Sequence, residues 1–370
     1  MGARTRGLAN NVLTSGKIDA TDGISGVIDE ANIANASLTS ATTFGSVTGG
    51  VPAVASDPSP AAEGDIWYNT TVGKLKFVAK VASWATGGNL NTGRATSGFG
   101  TTGTAGAVVA GEGGSPVSDQ ATHEQYDGTS WTELGDVPTA RQGPASGGTQ
   151  TAGMQATGYH GTPGNRDDCY TWDGSSWTTI DNTPAEVYDG ECIGTVSAMS
   201  YVTTGEILPL PTAGKEHYNY DGSSWTDLTD LSSTHVQGSG IGTTTSAVLV
   251  VAGRANSPGA PSVRTAVCEV WDGSSWTEVG DMNTARSGNG AFGTTTEGYV
   301  CGGNLGPSRV AQVESWDGTS WTETSTDLSS PATGVGSNTT STTDAFIAGG
   351  PPAATRTEEF TLANTTTVVG

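Results

Sequence analysis

Three arginines stand at matching places in stretches of this sequence that repeat: Arg94, Arg141 and Arg286. The other three matching places hold Glu186, His235 and Thr333. If the repeats surround a channel, Arg94, Arg141, His235 and Arg286 form a candidate binding ring at one of its ends. The alternative is that each guanidinium pairs with a carboxylate or a loop carbonyl of its own repeat.

Other constellations point less directly to chemistry. A glycosidase needs two carboxylates about 5–10 Å apart. The 37 Asp and Glu allow such a pair, but many sit in hairpins such as Asp127-Gly128, where a turn role suffices. The Asp167-Asp168 pair is a weak cation signal. His123, His160, His217 and His235 are dispersed. Cys169, Cys192, Cys268 and Cys301 form no CxxC pair and have no zinc spacing, so they read as small apolar core residues. The Gly-x-Gly strings lie in strand and turn contexts with no helix after them. No metal site, no cofactor and no catalytic residue are expected.

The elements that would position the ring are strands. Gly makes up 55 of 370 residues and charged residues only 14%, against a usual ~25%. Gly and Thr are poor helix formers and suit short strands and turns. Ten Trp argue against simple disorder, because burying large aromatics offsets the entropy of ordering.

The repeat has three markers in one phase. Tyr126-Asp127-Gly128-Thr129-Ser130-Trp131 recurs at Trp172–Trp177, Tyr220–Trp225, Trp271–Trp276 and Trp316–Trp321. Short apolar runs end in Gly111, Gly158, Gly205, Gly253, Gly302 and Gly349, at intervals of 47–49 residues. A Thr-rich turn precedes several of them, as in Gly242-Thr243-Thr244-Thr245. Each unit therefore reads as four short strands, with Asp-Gly forming the last hairpin. Four strands per 40–50 residues predict an all-β, six-bladed β-propeller. Small residues fill its inner strands, and the Trp of the fourth strand fills the wedge between blades. The sixth unit lacks its Asp-Gly-Ser-Ser-Trp hairpin. Ser83-Trp84-Ala85-Thr86 matches the missing fourth strand, so an N-terminal strand is expected to close the last blade and hide two sheet edges.

Residues 1–64 show no lasting period and too little apolar content for a core of their own. They read as an extended N-terminal attachment arm, with Pro58-Ser59-Pro60 leading into the propeller at 65–370: closing strands at 65–91, then the repeats at 92–370. Met1–Leu13 carries Arg4 and Arg6 without an apolar stretch behind them, so no secretory signal is expected.

A net charge of −22 with only 15 Lys and Arg leaves no basic footprint for nucleic acid. No run of 18 apolar residues exists, so no membrane insertion is expected.

Gly64-Asp65-Ile66-Trp67-Tyr68-Asn69-Thr70 with Gly73-Lys74-Leu75-Lys76-Phe77 resembles a stretch of tailed-bacteriophage tail fibre and appendage proteins. Units such as Tyr220–Thr226 resemble kelch-like repeats of marine and cyanobacterial phage structural proteins. Ile28–Leu38 is similar to the virion-attachment arms of such fibres. The Asp-Gly-Ser-Ser-Trp hairpin, and a double Gly complete only at Gly302-Gly303 and Gly349-Gly350, separate the chain from cellular kelch proteins. The resemblance implies a virion structural protein, assembled in the host cytoplasm. It would dock to other virion proteins through residues 1–64, form a homo-oligomer and present the propeller for host-surface glycan recognition. The loops at 113–121, 205–215 and 254–263 vary between units and would carry that surface. The alternatives are a glycan-degrading enzyme on the same propeller, or an architectural decoration subunit of capsid or tail.

Overall fold

The Asp-Gly turns close their hairpins through the Asp side chain. Asp173 accepts the amides of Ser175 and Ser176, each at 2.8 Å, and Asp127, Asp221, Asp272 and Asp317 repeat the arrangement. Each turn sets an aromatic of the third strand opposite the Trp of the fourth, as in the pair Trp172 and Trp177. The hairpin reading of the repeat therefore holds in all five places.

This computed structural model describes residues 51–113, 118–161, 164–202, 204–207, 212–213, 215–255, 263–337, 340–352 and 354–369. Within them the chain is all-β, without helices, and falls into two units. Most of the expected attachment arm, residues 1–50, lies outside the described residues.

Unit two, Ala82–Thr361, is a propeller-like series of small antiparallel sheets. The first sheet contains Arg94–Thr102, Ala105–Gly113, Ser118–Tyr126 and Trp131–Glu133, in that order. The second contains Ala145–Thr149, Ala152–Ala156, Cys169–Trp172 and Trp177–Ile180. The third begins at Glu191–Thr195, the fourth at Ser239–Thr244 and the fifth at Gly290–Gly293, each with four main strands. In the sixth, Gly336–Ser337, Asp344–Ala348 and residues 357–361 are completed by residues 82–86, from the far end of the unit. The Gly87 amide donates to the Thr357 carbonyl at 3.0 Å and the Leu90 amide to the Thr355 carbonyl at 2.7 Å, so the two segments run antiparallel.

The first strands of successive sheets touch, and Gly336–Ser337 touches Arg94–Thr102 in turn. Their approach explains the small residues. A Cβ on Gly98 would lie 2.7 Å from the Ser337 nitrogen of the sixth sheet, so only glycine fits there. The second strands are buried on both faces and read as continuous apolar runs, as in Ala247–Val251.

The fourth-strand aromatics meet the sequence expectation in part: Trp131 and Trp321 are buried in the core. The third-strand rings Tyr126, Trp172, Tyr220, Trp271 and Trp316 are buried, whereas Trp177, Trp225 and Trp276 of the fourth strands are only half-buried. Those fourth-strand indoles instead staple neighbouring units. Trp177 Nε1 donates to the Gly135 carbonyl, Trp225 to Asp181 and Trp276 to Thr229, at 2.9–3.0 Å. Trp131 donates to Gly88 in the same way, just beyond the strand at 82–86. All four cysteines are free and buried, as expected of core residues.

Unit one holds residues 1–81 and 362–370, so the expected boundary near residue 64 falls inside it. Ile66–Asn69 pairs antiparallel with residues 74–77 and parallel with Ala53–Val54. Residues 362–368 extend this sheet, and the Val369 amide donates to the Leu75 carbonyl. Asp57 gathers the side chains of Trp67, Asn69 and Lys76 at 2.6–2.9 Å. The Lys76 bond foremost, then those of Asn69 and Trp67, hold its carboxyl at about 2.

Candidate functional site

The four ring candidates are buried inside their own sheets. Arg94 meets Glu124 at 2.7 Å, Arg141 meets Asp168 at 2.9 Å, His235 meets Glu269 at 3.2 Å, and Arg286 meets Glu314. Arg94, Arg141 and Arg286 have no solvent exposure, and His235 almost none. Their polar atoms thus serve the fold, which is the pairing alternative set beside the ring above. Burial lowers the pKa of Arg94 and Arg141, and their carboxylate partners work against that shift. Burial pushes Glu269 up, but bonds from His235, Ser232 and Ser233 outweigh it and hold it at about 2.

These acids have a second task. Glu124 accepts the Asn91 and Thr92 amides, Glu269 those of Ser232 and Ser233, and Glu314 that of Asn283. Each therefore ties the loop entering its sheet to the third strand. In the third and sixth sheets the residues matching Arg94 are Val187 and Ala332, one place from Glu186 and Thr333. The carbonyls identify them: Gly158 donates to Val187 and Gly303 to Ala332, as Gly111 does to Arg141. Glu186 is exposed, whereas Val187 is fully buried.

Two residues further along the chain, the backbone turns into the left-handed region and lines a cavity. Gly143, Asp189, Gln237, Gly288 and Gly334 have φ between +49° and +66°. Their amides and carbonyls link part of the rim: Asp189 donates to Gly143, Gly288 to Gln237, Gly334 to Gly288, and Thr96 to Gly334. The cavity encloses about 330 Å³ and takes lining residues from all six sheets or their loops. Asp189 and Gln237 bear the cost of a left-handed backbone that the other three positions meet with glycine.

The charged residues of this lining are Glu112, Asp189 and Glu191, and no described lining residue is Lys, Arg or His. Protein surrounding Glu191 disfavours its charge, and Asp189 beside it adds repulsion; together they push its pKa to about 8 against a Gly240 amide bond. A carboxyl raised towards neutral pH beside a second acid is a chemical resource for proton transfer.

No protein-family model and no curated protein matches the chain. A solved structure, described as the structure of YjhT, is similar. It matches 75% of this chain and 99% of its own with a TM-score of 0.60. At 12% sequence identity, the likeness shows the fold alone.

The sequence reading did not single out the cavity acids. The available signal was the appearance of Asp189 and Gln237 where three of the aligned units have glycine, a place where a side chain is costly without a task. Of the variable loops expected to bind, residues 114–117, 208–211, 214 and 256–262 lie outside the described residues.

Proposed function

We propose that the six sheets are the blades of a six-bladed, kelch-like β-propeller, closed by residues 82–86. In this reading it is a tail fibre or other appendage protein of a tailed phage. It docks to other virion proteins through residues 1–64 and presents the cavity-bearing face to glycans of the host surface. The observation that carries the binding face is the cavity itself, whose charged groups are all acidic and whose lining comes from all six sheets or their loops. Glu112, one residue before the variable loop at 113–121, is part of its lining. The phage assignment is supported by the tail-fibre-like stretch Gly64–Phe77 and the kelch-like repeats. Glycan-array binding by the purified chain, with competition against phage adsorption, tests this reading. An empty array and unhindered adsorption would sink it and leave the architectural role.

One observation favours a second reading, a glycan-degrading enzyme. Glu191, raised to about 8 beside Asp189, resembles an acid paired with a base. Release of reducing ends from host polysaccharide, lost in Glu191→Gln, would establish it.

A further inference from the structure

We propose that the axial cavity binds a small polyhydroxylated ligand carrying a protonated amine, received by Glu191, Asp189, Glu112 and Asn289. This rests on reading the cavity face as the glycan-binding face, and it names the ligand class.

The first support is the sign of the lining. Its charged groups are all carboxylates, and no described lining residue is Lys, Arg or His. The nearby guanidiniums of Arg94, Arg141 and Arg286 are consumed by carboxylates within their own sheets. Arg254, half-buried behind the lining, spends its guanidinium on Gln237 Oε1 at 2.7 Å. The charged groups of the lining itself are carboxylates, which repel an acidic sugar and complement an ammonium.

The second support is independent of the acids. Asn289 lines the cavity and is only 6% exposed. Ser239 Oγ donates its one proton to the Asn289 carbonyl at 2.8 Å. Its oxygen therefore receives Asn289 Nδ2 at 2.9 Å, which fixes the amide orientation. Asn289 Oδ1 is left buried with no hydrogen-bond partner among the described residues. A buried acceptor of this kind calls for a donor, and an ammonium brings three. The cavity volume of about 330 Å³ suits a single sugar ring, at the lower end of ligand pockets.

Binding of an ammonium has a proton signature. Burial and Asp189 keep Glu191 largely protonated at neutral pH in the empty cavity. A cation beside it favours the carboxylate, so the proton leaves to solvent as the ligand enters.

The test is calorimetric titration of the full chain at pH 7 with glucosamine, N-acetylglucosamine and glucuronate, in two buffers of different ionisation enthalpy. Glucosamine should bind about tenfold or more tightly than the other two, the value of one charge-assisted contact. Its binding should release up to one proton. Glu191→Gln should abolish the release and weaken binding about tenfold, with an unchanged or higher melting temperature. Should that variant fail to fold, Glu112→Gln supplies the loss of affinity. Equal binding of glucosamine and N-acetylglucosamine, no binding of glucosamine, or binding without proton release overturns the proposal. If the glycan array is positive in those cases, this inference fails alone; if it is empty, the broader reading fails with it.

Discussion

The backbone amide of Gly350 donates to the carbonyl of Arg94 at 2.9 Å. The same bond joins Gly111 to Arg141, Gly253 to Arg286 and Gly303 to Ala332, each time from one sheet to its successor. The sixth sheet therefore treats the first as its successor, although the two stand at opposite ends of the repeat. Chain order and spatial order part company only where residues 82–86 complete the sixth sheet.

That strand is held by its aromatic ring. Trp84 lies 5.2 Å from Phe360 and 6.1 Å from Phe292 between ring centroids. It is half-buried, so Trp84→Ala should cost about 2 kcal/mol, below the range for a fully buried ring. Trp177→Ala, at a half-buried position inside a continuous sheet, should cost a similar amount. Deleting residues 75–86 should lower the melting temperature far more than either. Urea titration of the three variants checks the order, and an unchanged midpoint for the deletion would refute the closure.

The pair of Arg94 and Glu124 predicts a non-additive result. Glu124 receives the guanidinium and two loop amides with no solvent contact. Glu124→Ala leaves a buried cation unpaired and should cost about 3–5 kcal/mol. Adding Arg94→Ala should cost less than the sum of the two single changes, because the second removes a charge the first has stranded. A strictly additive cycle in chemical denaturation would show that the pair does not act as a unit.

Glycine positions separate by what surrounds them. A Cβ on Gly111 would sit 2.0 Å from the Ala95 carbonyl oxygen, and its φ is +113°. Gly161 has open space around its Cβ position and no left-handed requirement. Gly111→Ala should destabilise by about 3 kcal/mol or more, through steric overlap and backbone strain together. Gly161→Ala should stay within about 0.5 kcal/mol. Matched thermal melts read both.

These contrasts show what the sequence could reveal. Local chemistry was legible: the Asp-Gly turns, the Gly markers and the fourth-strand match at Ser83–Thr86 each depend on a few neighbouring residues. The ring candidates were found at matching positions, but their employment depends on Glu124, Asp168, Glu269 and Glu314, about thirty residues further on. The cavity was not legible, because each unit lends it only a turn and a side chain. Glu191 acquires its raised pKa from burial foremost and from Asp189, against an amide bond from Gly240 of the next sheet, and no single repeat contains those surroundings.

Two buried histidines make the fold sensitive to acid. His123 sits between Trp172 and Trp177, at 4.7 and 5.3 Å, and His217 between Trp271 and Trp276, at 4.7 and 5.1 Å. Burial holds both imidazoles neutral, with pKa values down to about 4 from an ordinary 6.5. Between those values the unfolded chain binds more protons than the folded one, so stability falls as the pH drops from 6.5 towards 4. Each histidine should account for up to about 3 kcal/mol of that loss, which is complete below pH 4. Glu191 runs the opposite way: its carboxyl, raised to about 8, adds stability as the pH falls from 8 towards 4.5. The histidine contribution is therefore read as a difference between variants. His123→Phe and His217→Phe keep an aromatic ring against the two indoles but remove the titration. Stability measured by urea unfolding at pH 7 and pH 4.5 should lose much of its acid slope in the double variant. The same slope in wild type and double variant would mean that these imidazoles reach protons in the folded protein as readily as in the unfolded chain.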